Sequence, residues 1–136
     1  MLKSILDNDP IAKFLFERSA LTYSQLDTYL IDSMSDMRLE EKIMLRDGKR
    51  VSKGSFLRTL KQAQMNVRKA FYTLILMEYL KILESGTTSG LIEVGKTLDR
   101  VKESSPTFEH IKRVLEVIDV TLNRLSTPIS RRRDIT

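Results

Sequence analysis

Three groups of residues in this chain have types and spacings that could do chemistry. Gly90-Leu91-Ile92-Glu93-Val94-Gly95-Lys96-Thr97 reproduces the spacing G-x-x-x-x-G-K-T. In a phosphate-binding loop that spacing turns successive backbone N–H groups onto phosphate oxygens, while Lys and Thr reach phosphate and magnesium. Glu40-Glu41 and the pair Glu116, Asp119 offer two carboxylates within a few residues, the raw material of general acid–base work. The third group is seven cations, Lys49, Arg50, Lys53, Arg58, Lys61, Arg68 and Lys69, in a stretch from 49 to 77 that holds no acid.

The first two groups read as helix faces. Leu91, Ile92, Glu93 and Val94 are bulky, β-branched or anionic where a phosphate loop needs small residues, and the chain after Thr97 is too short for the strands of a nucleotide-binding sheet. Leu91, Val94 and Leu98 instead follow helical core spacing. The carboxylate pairs suit solvated helix surfaces. His110 is the one histidine and there is no cysteine, so a zinc site would need carboxylates almost throughout, and disulfide or thiolate chemistry is excluded. We expect no enzymatic activity, no metal and no cofactor.

The cations are a different matter. Residues 1–48 carry six bases and nine acids, and residues 78–136 ten bases and nine acids. The formal net charge of +5 therefore comes from the intervening stretch alone. A concentration of one sign calls for a negative partner, and nucleic acid phosphate is the commonest.

The elements that must position these cations read as capped helices. Asp9-Pro10 is an N-cap with proline at the first helical position, opening a helix to about Ser19. Thr22 with Gln25 has the capping-box pattern, opening a helix to about Met34. Ser35 or Asp36 caps a third, to about Arg46, stopped by Asp47-Gly48. Ser52 caps the basic helix, in which Phe56, Leu60, Ala63, Val67, Ala70 and Leu74 form a one-sided apolar stripe. Opposite the stripe, at about 100° per residue, fall Ser55, Arg58, Lys61, Gln62, Met65 and Lys69. This helix is expected to continue to Leu83. Its last third, Phe71 to Leu83, is apolar nearly all round and so must be buried against other helices or another subunit. After the loop-like Ser85–Gly90, the seams Leu91, Val94, Leu98, Val101 and Phe108, Ile111, Leu115, Ile118, Leu122, Leu125 suggest a helical hairpin, its second helix capped at Ser105-Pro106. An alternative makes 79–94 a hairpin of two strands around the Gly/Ser/Thr turn.

The run Val51-Ser52-Lys53-Gly54-Ser55-Phe56-Leu57-Arg58-Thr59-Leu60-Lys61-Gln62-Ala63, on through Val67-Arg68-Lys69-Ala70, resembles the recognition half of the helix-turn-helix in the fourth region of bacterial sigma factors and related regulators. The shared features are an apolar residue entering the turn, a Ser cap, the small pair Gly54-Ser55, and Phe56, Leu60 and Ala63 at core spacing. Lys49 and Arg50 stand where that family has an apolar residue and then a glycine, with Gly48 two positions early, so the resemblance implies the helix-turn-helix class and not a sigma factor. It covers about 20 of the chain's 136 residues. It implies that the start of the helix enters the major groove, with Lys53, Ser55, Arg58, Thr59 and Gln62 facing base edges. Arg58 suits guanine and Gln62 adenine. Lys49, Arg50, Lys61, Arg68 and Lys69 would hold phosphates.

The expectation is an all-α protein with three parts: a helix-turn-helix domain with a long central helix over 1–83, a C-terminal helical hairpin over 84–130, and a basic tail over 131–136. The alternative is a winged helix. The expected role is a transcriptional regulator bound to double-stranded DNA as a homodimer; the alternative role is an all-α interaction or scaffold protein whose basic helix meets an acidic partner. No apolar run approaches the roughly 18 residues of a membrane span, and the N-terminal residues do not form a secretory signal, so a cytoplasmic, nucleoid-associated location is expected. A small-molecule effector is left open.

Overall fold

Local capping explains most of the helix starts in the computed structural model, which describes residues 1–34, 36–48 and 50–128. Ser35, Lys49 and the expected basic tail lie outside the described residues. Among the described residues there are helices and no strands: α1 (Leu2–Asn8), α2 (Pro10–Arg18), α3 (Tyr23–Asp32), α4 (Leu39–Met44), α5 (Lys53–Tyr79), α6 (Thr87–Glu103) and α7 (Phe108–Leu125). The all-α class is as expected. Two compact units, Met1–Ala70 and Phe71–Thr136, divide within α5, whereas the sequence suggests a division at 83/84.

In the first unit, Asp9 Oδ1 accepts the N–H groups of Ile11 and Ala12 at 3.1 and 3.0 Å, with Pro10 at the first helical position. Thr22 and Gln25 form the reciprocal box that opens α3, at 3.2 and 3.1 Å. Phe16 meets Tyr23 edge to face, ring centres 6.2 Å apart, which ties α2 to α3. The third helix departs from expectation. It begins at Leu39, not after Asp36, and Glu41 reaches back to the Arg38 N–H at 3.3 Å to satisfy its start. Gly48, at φ 86°, supplies the left-handed residue that the Asp47-Gly48 turn requires.

α1 has no counterpart in the sequence reading. Its first residue offers no capping side chain, and two distant aspartates do the work instead. Asp27 Oδ1 accepts the Leu2 N–H at 2.9 Å and Asp47 Oδ2 the Lys3 N–H at 2.8 Å. Both place negative charge at the helix N-terminus, where the peptide dipoles favour it. The core of this unit joins Ile31 of α3, Ile43 of α4 and Phe56 of α5, with Met1, Leu39, Leu45 and Val51 packed around them. Complete burial of Phe56 and Ile31 stabilises the unit by about 1.5–3 kcal/mol each.

In the second unit α5 ends four residues before the expected Leu83. The Ile82 N–H bonds back to the Met77 carbonyl at 3.2 Å and the Lys81 N–H to Glu78 at 3.1 Å, the paired bonds of a Schellman ending. Lys81 takes the left-handed position, at φ 56°, that glycine usually fills. The expected loop is shifted as well: Thr87 to Gly90 already belong to α6, and Gly86 at φ 85° precedes them. The strand hairpin considered for 79–94 is not formed, because that stretch holds the end of α5, a turn and the start of α6.

α6 and α7 form the expected hairpin, with Leu98, Leu115 and Ile118 buried. Thr107, not Ser105, caps α7: its Oγ1 accepts the His110 N–H at 3.2 Å. Ser105 instead takes a left-handed conformation, at φ 50°, just past the end of α6. Phe108 is exposed, outside the seam that the spacing assigned to it.

Candidate nucleic-acid interface

The rotational setting of α5 decides which of its side chains can meet a ligand. Ser52 Oγ accepts the Ser55 N–H at 3.1 Å and the Ser52 carbonyl accepts the Phe56 N–H at 2.9 Å, so the expected cap is in place. Phe56 and Ala63 are completely buried, and Leu60 and Val67 half-buried. Asn66 Nδ2 donates to Gln25 Oε1 at 3.0 Å, which fixes α5 against the start of α3. With Phe56 pointing inward, the opposite face is centred between Arg58 and Lys61, about 180° away.

The expected base-reading residues divide three ways. Arg58 and Gln62 are exposed on the outward face. Ser55 and Thr59 are half-buried, because they lie about 100° and 60° from Phe56 and so sit on the flank of the helix. Lys53 is exposed, but its ammonium is 2.6 Å from Glu40 Oε1, across from α4. The hydrogen bond from Lys53 holds the Glu40 carboxyl below the ordinary glutamate range. Of the expected phosphate-binding residues, Arg50, Lys61, Arg68 and Lys69 are all exposed; Lys49 lies outside the described residues.

Leu57, Leu60, Lys61, Gln64, Met65 and Arg68 line a shallow groove of about 360 Å³ beside this face. The groove mixes apolar and cationic walls. Leu57 and Gln64 had no place in the sequence reading, although Leu57, one residue past Phe56, is turned about 100° from the core by helix geometry alone.

A buried ionic cluster sets the path of the chain into α5. Asp27 is completely buried. Its Oδ2 accepts the Asp47 N–H at 2.9 Å and lies 3.2 Å from Arg46 Nε, an ion pair whose geometry falls short of a hydrogen bond. Arg46 Nη1 donates to Thr28 Oγ1 at 2.8 Å. Asp47 receives the Met1 ammonium and, at 2.7 Å, the Tyr23 hydroxyl. Burial alone would raise the Asp47 pKa, but the hydrogen bonds from the ammonium, the Lys3 N–H and Tyr23 outweigh it and bring the carboxyl down to about 2. Burial first, and then the bond to Asp47, pushes the Tyr23 hydroxyl well above the ordinary tyrosine value. Through these contacts the cluster fastens Met1, α3 and the connector before α5.

That connector, Leu45 to Ser52, is eight residues long. The turn of a helix-turn-helix is usually about three or four.

In the second unit an open groove of about 550 Å³ runs between α6 and α7, lined among others by Gly90, Val94, Thr97, His110, Arg113 and Val117. The G-x-x-x-x-G-K-T spacing lies wholly inside α6. There Lys96 pairs with Glu93 at 3.5 Å and Thr97 Oγ1 donates to the Glu93 carbonyl at 2.9 Å, so its N–H groups serve the helix and cannot cradle phosphate. Among the described residues no three His, Asp or Glu side chains converge as metal ligands, and no helix is long and apolar enough to cross a membrane. No family model, curated protein or solved structure matches the chain.

Proposed function

We propose that this chain is a double-stranded DNA-binding protein of the helix-turn-helix class, a transcriptional regulator that places the start of α5 in the major groove and acts as a homodimer. One observation carries the reading. Arg58, Lys61, Arg68 and Lys69 are exposed on a capped helix whose other face is fixed by the complete burial of Phe56 and Ala63, in a stretch with no acid. A helix held rigidly from behind and cationic in front suits a groove walled by phosphates.

The division of labour follows from exposure. Arg58 and Gln62 are the base readers, toward guanine and adenine. Arg50, Lys61, Arg68 and Lys69 neutralise phosphates. Ser55 and Thr59, on the flank, contact the groove edge at most through their hydroxyls. Lys53 joins by exchanging Glu40 for DNA, which costs little because both side chains are exposed. A single small domain reads four or five base pairs, and a two-fold dimer on a palindromic site gives the specificity that regulation needs.

The mixed groove along Leu57, Met65 and Lys61 favours a second reading, in which the same face binds an acidic amphipathic segment of another protein. Selection from random duplex DNA, with sequencing of the bound fraction, separates the two. A recovered palindrome, shifted at one position by Arg58→Ala, is the expected result. Recovery of no motif, with binding equally weak for all duplexes, rejects the regulatory reading.

A further inference from the structure

We propose that the exposed apolar face at the end of α5 is where two copies of this chain meet, packed antiparallel about a two-fold axis close to Ile75. Tyr72, Ile75, Leu76 and Tyr79 are spaced i, i+3, i+4 and i+7 and therefore share one side of the helix. They are 66, 63, 50 and 81% exposed, and Phe71 and Leu80 beside them 62 and 53%. Leu74 and Met77, on the other side, are half-buried. The sequence requires the stretch from Phe71 to Leu83 to be covered, and the single chain covers only that other side.

The area argues for a protein partner of matched size. A large side chain offers about 150–250 Å², so these six at their observed exposures present roughly 560–940 Å² of mostly apolar surface. That lies at or above the top of the range of about 300–600 Å² found for patches on monomers and brackets the roughly 800 Å² that each side of a stable interface buries.

The charges at the two ends of the face favour a second copy. Arg68 and Lys69 precede it by a helical turn, while Glu78 lies in the last turn of α5 at its far end. An antiparallel pair sets the positive end of each copy near the negative end of the other and packs Tyr72 against the partner's Tyr79. A parallel pair would set like charges together.

The dimer belongs to the DNA-binding reading, on which its role rests, but it is tested without DNA so that the two can fail separately. The full chain in sedimentation equilibrium is expected to dimerise at micromolar concentration. Tyr79→Glu should raise the dimer dissociation constant at least about a hundredfold, with an unchanged circular dichroism spectrum because Tyr79 is exposed. The chain has no cysteine, so single cysteines report the packing. Ile75→Cys should oxidise to a covalent dimer. Phe71→Cys should not, because its two copies lie about 13 Å apart along the helices, beyond the ~7 Å limit of a disulfide. A wild-type monomer at 100 micromolar, whether or not it binds phosphatidylserine vesicles, overturns the proposal. So does a dimer indifferent to Tyr79→Glu, or cross-linking through Phe71→Cys in preference to Ile75→Cys. A dimer that behaves as described but binds no duplex sustains the interface and rejects the DNA reading.

Discussion

Asp27→Asn should be among the most damaging conservative substitutions in the first unit. The carboxylate is fully buried and meets the Leu2 N–H at 2.9 Å, the Asp47 N–H at 2.9 Å and Arg46 at 3.2 Å, with the Met1 ammonium at 3.7 Å. Asparagine keeps the shape. It loses the charge, however, and turns an amide NH2 toward groups that are themselves donors. Arg46, whose side chain is only 8% exposed, would then retain Thr28 as its hydrogen-bond acceptor but no counter-ion. Breaking one partner of a buried ion pair costs about 3–5 kcal/mol, a large part of the roughly 5–15 kcal/mol that holds a domain together. In urea, followed by circular dichroism, a slope of about 2 kcal/mol per molar puts the loss at roughly 2 M in the midpoint. Replacing both partners, Asp27→Leu with Arg46→Met, should cost at least about 2 kcal/mol less than the two single changes summed. A loss below about 1 kcal/mol for Asp27→Asn, or simple additivity in the double variant, would refute the account of this cluster.

Three further outcomes follow from the same geometry. Asp47 is held at about 2 against an unfolded value near 3.8, so its stabilisation, roughly 2 kcal/mol, is complete above about pH 5 and is lost as the pH falls through 4 toward 2. A melting temperature measured against pH should show that acid limb, and Asp47→Asn should flatten it. Lys81→Gly should stabilise the second unit by about 0.5–1 kcal/mol in thermal melts, by relieving the left-handed strain at φ 56° without touching a buried contact. Gly95→Ala should also stabilise, by about 0.5–1 kcal/mol, since its Cβ would meet open space on α6; a destabilised variant would speak against a continuous helix there.

What the sequence makes legible is what neighbours in sequence decide. Asp9-Pro10, the Thr22 and Gln25 box and Ser52 act over three or four residues, and all three helix starts follow from them. The core stripe of α5 is legible as far as Val67, because Phe56, Leu60, Ala63 and Val67 recur at helical spacing, whereas Ala70, at the same spacing, is exposed. α1 is not legible in this way, since its caps are Asp27 and Asp47, 25 and 44 residues away from the N–H groups they receive. The end of α5 carries no such signal, because a lysine, not a glycine, occupies the left-handed position. In the candidate interface, the exposure of Arg58 and Gln62 could be read from the phase of the helix. The pairing of Lys53 with Glu40 could not, because it joins residues 13 apart on separate helices. The buried ionic cluster carried no local signal either: Asp27 lies mid-helix with nothing beside it in sequence to reveal that it is buried.

We propose that the cationic face of α5 neutralises phosphates and that Arg58 reads a base. Equilibrium binding to a duplex at several salt concentrations tests it most directly. With about five phosphates neutralised per protomer, the slope of log affinity against log salt should be about −4.5, and near twice that for a dimer. Lys61→Ala should reduce the slope by about one per protomer while leaving sequence preference unchanged, and Arg58→Ala should relax preference at one base pair, by about 1–3 kcal/mol. A slope near zero, or an Arg58→Ala variant that weakens binding to every duplex equally, would contradict it.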